Sequence, residues 1–405
     1  MSYDVRERVT SRGSSSVVFA AIAVALVAAP FVLPVFQIGL LAQVLIFAIF
    51  ATAFNLLYGY TGLLSFGHAM FVAASGYTVA IFIRTGSSTL GFAETFGGAS
   101  VLVTFVVAVV LGVLVATLLG VFIGYLSVQL QEIYFAMITL SFSMAIYSLL
   151  LLDPGGLTNG SDGLSIFLSD VNLFGVEFAL YNIRDPTVYY FIVLAVFAGA
   201  MFALWRIVNS PFGMVCKAIR ENPQRTEAIG IDGRFHSWIT FILSGAFSGL
   251  AGALLIPLRT GITPDLAYWS FSAEPVIMTV IGGPYAFAGP AVGAFVYLYL
   301  RWIIDSFPTF AEHWEFFFGF VLLLVVLFFQ NGVAGGLVRA RDWTVAGYGH
   351  YQRDGWSGAA GHLRATLVWF YDLTLSFVLG GLAAVAQWVT DRLRWFSRTF
   401  DRQSG

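Results

Sequence analysis

Long apolar runs recur along the whole chain, and they limit its possible folds more than any other feature. Crossing hydrocarbon about 30 Å thick takes about 20 apolar residues in a helix. The candidate spans are Val17–Phe36, Leu40–Leu57, Leu63–Ile83, Val101–Ile123, Ile133–Leu152, Val188–Trp205, Trp238–Leu258, Pro275–Ile304 and Phe316–Phe329. Only 10% of the residues are charged, against about 25% in soluble proteins. The pattern predicts an all-α, polytopic membrane protein.

The segment Pro275–Ile304 is too long for a single span and contains Gly282-Gly283-Pro284 followed by Gly289-Pro290. Glycine and proline in this density interrupt a helix. We therefore expect two short helices that meet at a turn, and about 10 transmembrane helices in total.

Basic residues orient the spans, because cytoplasmic loops of membrane proteins are enriched in arginine and lysine. The loop Arg206–Ser237 carries a dense basic cluster, formed by Arg206, Lys217, Arg220, Arg225 and Arg234. It is predicted to be cytoplasmic, whereas the acidic loop Asp153–Pro186 is predicted to lie outside. Counting spans places residues 1–16 in the cytoplasm as the N-terminus of a multi-pass protein of the inner (cytoplasmic) membrane. Residues 17–335 then form the transmembrane domain, and residues 336–405 form a cytoplasmic or interfacial extension.

The C-terminal extension contains one further apolar stretch, Ala365–Val389. Arginines and aromatic residues alternate after it, from Trp388 to Phe400, as in an amphipathic helix that lies in the membrane interface. An interfacial helix and an additional span both remain open for this stretch.

Two glycine-broken segments are the candidates for a substrate pathway. The first is Asn55–Tyr77 and the second is Ile281–Gly293. Irregular backbone is tolerated at membrane depth only inside protein or along a cavity, and paired interruptions in the two halves of a transporter indicate its central pathway. The candidate pathway residues are Asn55, Tyr58, Gly62, Ser65, Gly67, His68, Thr139, Gly282 and Gly283.

Each of these residues also has a purely structural interpretation. The glycines can serve as close helix contacts, and His68 can bond a neighbouring helix instead of a substrate. Thr139 can bond the backbone of its own helix. The stretch Ser244–Gly252 is interpreted as a small-residue packing face.

The basic loop is predicted to contain two short helices. Ser210 before Pro211 is typical of a helix N-cap, and this helix is expected to end before Pro223. A second helix is expected to end at Gly230. The pair is either solvated surface structure or a docking element for a cytoplasmic partner.

Motifs for catalysis are absent from the sequence. Lys217 is the only lysine and is not preceded by the glycines of a GxxxxGK[ST] nucleotide loop. No HExxH or CxxC motif is present, and Cys216 is the single cysteine. The sequence therefore predicts that the chain is not an enzyme, and it indicates no cofactor, metal or nucleic acid.

Five motifs together resemble one family. They are Asn55–Tyr77, Tyr134–Phe142, Thr158–Leu164, Ser210–Ile231 and Val280–Ala294. In this order they closely resemble the branched-chain amino acid permeases of ABC importers, specifically the second, longer permease subunit. Two features depart from the family pattern: the stretch Pro284–Phe287, where the family often has a leucine or a glycine-leucine pair, and the tail beyond Trp343.

The resemblance implies a pore-forming subunit that works with a sister permease, two ATP-binding subunits and an extracytoplasmic substrate-binding protein. It also implies a coupling helix in the loop Arg206–Ser237, with Lys217, Arg220, Glu221 and Gly230 as candidate contacts to the ATPase.

Other functions stay open at this point. Related permeases serve urea or short amides, so the solute is not decided by the resemblance. An ion-coupled secondary transporter is disfavoured, because such proteins usually place ionisable groups within their spans and few are present here. A channel or a structural membrane subunit is a third alternative, but the folded basic loop would have no obvious role in a channel.

Overall fold

The computed structural model describes residues 21–86, 99–130, 132–166, 170–173, 176–179 and 185–307, with isolated positions between 316 and 335. The helices are α1 (Ala21–Val32), α2 (Val35–Thr61), α3 (Ala69–Ile81), α4 (Ser100–Ser127), α5 (Glu132–Leu152), α6 (Thr187–Val208), α7 (Pro211–Glu221), α8 (Pro223–Ala228), α9 (Gly233–Arg259), α10 (Trp269–Gly282) and α11 (Gly289–Asp305). Within the described residues, α2, α4, α5, α6 and α9 are long and apolar enough to cross a membrane. The prediction of an all-α, polytopic membrane protein is confirmed.

Helix α2 is the centre of the bundle. Its most apolar window is 89% buried, whereas the corresponding windows of α4, α5 and α6 are 22–28% buried. It contacts α6, α9, α10 and α11. A helix that is apolar on all sides is stable in such a buried position. Helix α7 of the basic loop also contacts α2.

Helix α9 packs on α3 and α4 through its small residues, as predicted. A Cβ atom at Gly249 would lie 2.3 Å from the Cβ of Ala116, and one at Gly252 would lie 2.4 Å from the carbonyl oxygen of Val72. Only glycine permits so close an approach of the backbones. The stretch Ser244–Gly252 is thus a packing face.

The predicted span Leu63–Ile83 is a single helix only in its second half. Helix α2 continues to Thr61 and ends at Gly62, whose left-handed backbone (φ 84°) caps it. The chain is then non-helical up to α3, and a π-helical turn, Phe82–Gly86, follows α3. The broken helix expected in this segment is therefore present, with its break at Gly62–Gly67.

The predicted pair of short helices in the second half is also confirmed as α10 and α11. The first of them begins at Trp269, earlier than Pro275. The two helices cross so closely that a Cβ atom at Gly293 would lie 1.8 Å from the carbonyl oxygen of Met278. A Cβ atom at Gly282 would likewise lie 1.8 Å from the carbonyl oxygen of Gly289.

In the described part of the chain, short strands form two small antiparallel sheets. Strand β1 (Leu164–Ser165) pairs with β4 (Gly261–Ile262), and β2 (Asp170–Leu173) pairs with β3 (Val176–Ala179). Three of these strands belong to the predicted outer loop Asp153–Pro186. The predicted span Phe316–Phe329 falls mostly outside the described residues, while the N-terminus 1–16 and the extension 336–405 with Ala365–Val389 fall wholly outside them.

Candidate translocation and coupling site

The basic loop folds into the two short helices that the sequence predicted. The hydroxyl of Ser210 accepts a hydrogen bond from the Gly213 amide at 3.5 Å and caps α7. The side chain of Asn222 accepts one from the Arg225 amide at 2.9 Å and caps α8. Both helices have proline in their first turn, where a missing amide hydrogen costs nothing. The loop is therefore an ordered element.

Arg220 of α7 joins the basic loop to both glycine-broken segments. Its guanidinium donates a hydrogen bond to the carbonyl oxygen of Gly59 in the last turn of α2. The same guanidinium lies 5.2 Å from the centroid of the Tyr285 ring, in the turn between α10 and α11. The cation is attracted by the ring face and by the carbonyl end of the α2 dipole.

The remaining candidate coupling residues differ in their exposure. Lys217 faces the bundle, with its Nζ 5.3 Å from the centroid of the Tyr60 ring. Glu221 and Gly230 are exposed. Two apolar side chains, Met214 and Ile229, are 61% and 75% exposed. The loop thus has one face packed on the pathway segments and one free face.

Asn55 ties the two glycine-broken segments to each other. It is fully buried in α2, and its Nδ2 donates a 3.0 Å hydrogen bond to the carbonyl oxygen of Pro284. A Cβ atom at Gly59, one turn further along, would lie 2.7 Å from the same oxygen. The buried residues Gly282 and Gly283 end α10 at this junction.

His68 is part of a buried hydrogen-bond chain. Its Nε2 lies 2.7 Å from the Ser244 hydroxyl, which donates to the carbonyl oxygen of Ala53 at 2.6 Å. Because the hydroxyl proton is used toward Ala53, the histidine is the donor, through Nε2–H. Its ring is 5.1 Å from the Phe54 ring and 5.6 Å from the Phe71 ring. In this conformation His68 connects α2, α3 and α9.

Ser65, Gly67 and Thr139 are also buried in protein. The Ser65 hydroxyl accepts a hydrogen bond from the Gly67 amide at 3.3 Å. A Cβ atom at Gly67 would lie 2.3 Å from the carbonyl oxygen of Thr139. The Thr139 hydroxyl donates to the carbonyl oxygen of Ala136 at 3.0 Å, within its own helix. The break at Gly62–Gly67 therefore packs directly on α5.

Two clefts meet at Gly62. An apolar cleft of about 550 Å³ is lined by Tyr58, Gly62, Leu64, Phe66, Ile133, Ala136, Met137 and Leu140. A more polar cleft of about 410 Å³ is lined by Thr61, Gly62, Leu63, Val128, Gln129, Leu130, Ile219, Arg220, Pro223, Gln224, Glu227, Gly233, Arg234 and Ser237. Of the candidate pathway residues, Tyr58 and Gly62 line the apolar cleft. Neither cleft is lined by Asn55, Ser65, His68 or Thr139. The roles of these four residues in transport stay predictions.

Sequence reasoning did not find the contact between Arg220 and Tyr285. Tyr285 belongs to the stretch Pro284–Phe287, which departs from the family pattern, and it is 71% exposed. An aromatic residue in the turn between Gly282-Gly283 and Gly289-Pro290 was the available signal. The exposed face of α5, which borders the apolar cleft through Met137, was also missed.

Comparison with known proteins identifies the family of the chain. The chain matches the family described as branched-chain amino acid transport system / permease component over residues 36–326. It is 26% identical to the high-affinity branched-chain amino acid transport system permease protein LivM of Escherichia coli over 281 residues, which are 65% of this chain and 62% of that protein. It is 23% identical to the probable branched-chain amino acid transport permease protein LivM of Methanocaldococcus jannaschii over 347 residues, which are 73% of this chain and 94% of that protein.

A more distant relative is the D-allose transport system permease protein AlsC of Escherichia coli, 29% identical over 130 residues, which are 31% of this chain and 40% of that protein. No solved structure matches the chain. The family match covers most of the chain, including both glycine-broken segments and the basic loop. The chain therefore belongs to the family of permease components of branched-chain amino acid transport systems, which are transport proteins of the membrane and not enzymes.

Proposed function

We propose that the chain is a membrane-spanning permease subunit of an ABC importer for branched-chain or related amino acids. It forms the translocation pathway together with a sister permease, and two separate ATP-binding subunits drive it. An extracytoplasmic binding protein delivers the solute. The N-terminus and the loop Arg206–Ser237 are cytoplasmic in this arrangement.

The observation that carries the proposal is the position of Arg220. Its helix, α7, exposes Met214, and Ile229 is exposed directly after α8, so the loop has a free face that suits docking on a partner protein. Its other face bonds α2 through Gly59 and the α10–α11 turn through Tyr285. A displacement of α7 by an ATPase would therefore act directly on both glycine-broken segments. Coupling of this kind requires a two-state element that both sites bias.

The exposed face of α5 supports a pathway beside the apolar cleft. Its exposed residues from 133 to 149 include a stripe of three small residues at helical spacing, Ser141, Ala145 and Ser148, between bulkier exposed residues at both ends: Ile133, Tyr134, Met137 and Leu149. Small and hydroxyl-bearing residues are typical of contacts between membrane helices.

Helix α4 offers a matched comparison, since it is equally peripheral. Its exposed residues from 106 to 122 are all bulky and apolar, as expected for a surface in contact with lipid: Val106, Val110, Leu114, Leu118, Val121 and Phe122. We assign the α5 stripe to the contact with the sister permease and to the pathway between the two subunits.

Reconstitution tests the proposal. The chain is placed in liposomes with the sister permease, ATP-binding subunits and binding protein of the same genome. ATP-dependent uptake of leucine, and ATPase activity stimulated by the leucine-loaded binding protein, are the expected results. Stimulation by urea alone would change the substrate assignment, and gradient-driven uptake by the chain without its partners would contradict the ABC mechanism.

A further inference from the structure

The polar cleft and the apolar cleft that meet at Gly62 form one continuous groove, because two chain segments line both of them. The segment after α2 places Leu63 in the polar cleft and Leu64 in the apolar cleft. The segment from the end of α4 into α5 places Leu130 in the polar cleft and Ile133 in the apolar cleft. The groove therefore has a polar end near the start of α5 and an apolar end that follows α5.

The polar end of the groove has an excess of positive charge. The charged residues that line it are Arg220, Arg234 and Glu227. Arg234 is exposed, and no carboxylate of the described residues lies within 4.0 Å of its side chain. Arg220 uses one of its five N–H donors at Gly59. Two guanidinium groups with one carboxylate favour an anion, and guanidinium groups match phosphate oxygens well.

The apolar end of the groove has the length of part of an acyl chain. Its wall on α5 extends from Ile133 to Leu140, which is about 10 Å along the helix. One leaflet of the hydrocarbon core is about 15 Å deep. The segment after α2 adds Leu64 and Phe66 to this lining. The apolar end is therefore suited to a hydrocarbon chain within a single leaflet.

Aromatic residues beside the polar end indicate its depth in the membrane. Trp238 directly follows Ser237, which lines the polar cleft. Its indole Nε1 donates a 2.9 Å hydrogen bond to the carbonyl oxygen of Val121, and its ring centroid lies 6.1 Å from that of Tyr125. Tyr125 is exposed. Because tryptophan and tyrosine are enriched at the level of the lipid headgroups, the polar end lies at the membrane–water interface.

We propose that the groove binds an anionic glycerophospholipid, with its phosphate in the polar end and one acyl chain in the apolar end. The guanidinium groups of Arg234 and Arg220 bind the phosphate oxygens. Gln224 and Ser237 line the same end and offer hydrogen bonds to the headgroup. Basic pockets between membrane helices bind anionic headgroups in this way. The proposal goes beyond the transport function and does not depend on the identity of the solute.

The surface of α5 favours a lipid over a protein in the apolar end. Ile133 and Met137 line this end and are exposed, bulky and apolar, like the lipid-facing residues of α4. The small residues assigned to the sister permease begin at Ser141, after Leu140, the last α5 residue of the groove. A soluble anion would fill the polar end and leave the apolar end without an occupant. A phospholipid fills both.

Photolabelling tests the proposal on the full chain, purified in detergent with its sister permease and ATP-binding subunits. The probe is a phosphatidylglycerol that carries a diazirine in the middle of one acyl chain, and mass spectrometry locates the label. We expect label within residues 133–140. Unlabelled phosphatidylglycerol should compete about fivefold better than phosphatidylcholine, the effect of about one basic residue near an anionic lipid.

Three results would overturn the proposal. Absence of label from residues 133–140 would mean that a protein covers the apolar end. Equal competition by phosphatidylglycerol and phosphatidylcholine would show that the polar end does not select an anionic lipid. Competition by glycerol 3-phosphate as strong as that by phosphatidylglycerol would assign the polar end to a soluble phosphate ester.

A pair of charge variants tests the polar end. Arg234→Gln should reduce the labelling of residues 133–140 about fivefold. Arg225→Gln is the matched control, because Arg225 is an exposed cation of the same loop that lines neither cleft, and its labelling should equal that of the wild type. Equal losses in the two variants would reflect the general attraction of a basic loop for anionic lipid and would contradict a built site.

A second pair of variants tests the apolar end. Ala136→Phe places a large side chain in the apolar cleft and should remove the label from residues 133–140 although both arginines remain. Val110→Phe, on the exposed face of α4, should leave that label unchanged. Normal labelling of Ala136→Phe would contradict the position of the acyl chain. If Ala136→Phe does not fold, the charge variants and the lipid series still decide.

The outcomes separate this inference from the proposed function. Labelling that depends on Arg234, in a protein that transports no amino acid, would support the lipid site and contradict the importer. Amino acid uptake by the wild type, together with labelling that is insensitive to Arg234→Gln, would support the importer and overturn the lipid site.

Discussion

Arg220 in the basic loop donates a hydrogen bond to the carbonyl oxygen of Gly59, one of the last carbonyls of the central helix α2. The end of a helix leaves its carbonyl groups without intrahelical partners, and a cation there is favourable. The loop is consequently hydrogen-bonded to the central helix α2, beside the break at Gly62.

Replacing Arg220 by glutamine should uncouple ATP hydrolysis from transport. The shorter neutral side chain loses both the charge-assisted bond to Gly59 and the attraction to the Tyr285 ring, while the free face of α7 is unchanged. We expect the ATP-binding subunits to copurify normally and uptake to fall about tenfold, within the 1–3 kcal/mol typical of coupling free energies. Uptake and ATPase activity are measured in parallel in proteoliposomes.

Arg225→Gln is the control for this variant, because Arg225 is an exposed cation of α8 in the same loop. It should retain normal uptake per ATP hydrolysed. Equal loss in both variants would mean that the overall charge of the loop matters and the Gly59 contact does not.

Gly62→Ala should destabilise the protein by about 1–2 kcal/mol, because the left-handed conformation is unfavourable for a residue with a Cβ atom. The backbone of Gly62 has φ 84°, and the new Cβ would also lie 3.1 Å from Cγ of Arg220. The loss is measured as a lower thermal midpoint in detergent. Gly199→Ala in α6 provides the comparison, since nothing lies within 4 Å of its Cβ position; a similar loss there would refute the explanation.

Ser244→Ala should destabilise the protein by about 1 kcal/mol or more, since it leaves the Nε2–H group of His68 buried without an acceptor. Ser248→Ala, on the same helix, should be neutral or stabilising, because the Ser248 hydroxyl is buried and has no partner among the described residues. Thermal midpoints of the two variants test the difference. If Ser244→Ala instead changed only the KM for uptake, His68 would act in the pathway and not in packing.

The loop after α5 should lose order in acid. The Asp153 carboxylate accepts hydrogen bonds from the amides of Leu157, Thr158 and Asn159 at 2.7–2.9 Å. These bonds, that from the Thr158 amide foremost, hold the pKa of Asp153 below its ordinary value. Because the folded-state pKa is depressed, the stabilisation is present above the unfolded pKa, about 3.9. It is lost as the pH falls below that value toward the folded pKa.

Amide hydrogen exchange at residues 157–159 measures this loss. Protection is expected to decrease below about pH 4, the ordinary range of the carboxyl group, and Asp153→Asn should show reduced protection already at pH 7. Asp162→Asn, in the same loop, should leave the three amides protected. Undiminished protection of the wild type in acid would contradict the role of the carboxylate.

Much of the architecture follows from local sequence features. Apolar runs predict the helices, because length and hydropathy decide what crosses a bilayer. The caps at Ser210 and Asn222 and the break at Gly62 are local as well, since an N-cap or a left-handed glycine depends on a few neighbouring residues. The glycine density around residues 282–293 is sufficient to predict two short helices with a turn.

The site depends on contacts that are distant in the sequence. Arg220 lies 161 residues from Gly59, and Asn55 lies 229 residues from Pro284. Apolar periodicity carries no information on which helix faces which, so the sequence alone could assign His68 to a pathway or to packing with equal reason. Burial of α2 at the centre brings α7 and the turn between α10 and α11 to the C-terminal end of α2. That tertiary arrangement decided that the basic loop contacts both broken segments, through Arg220.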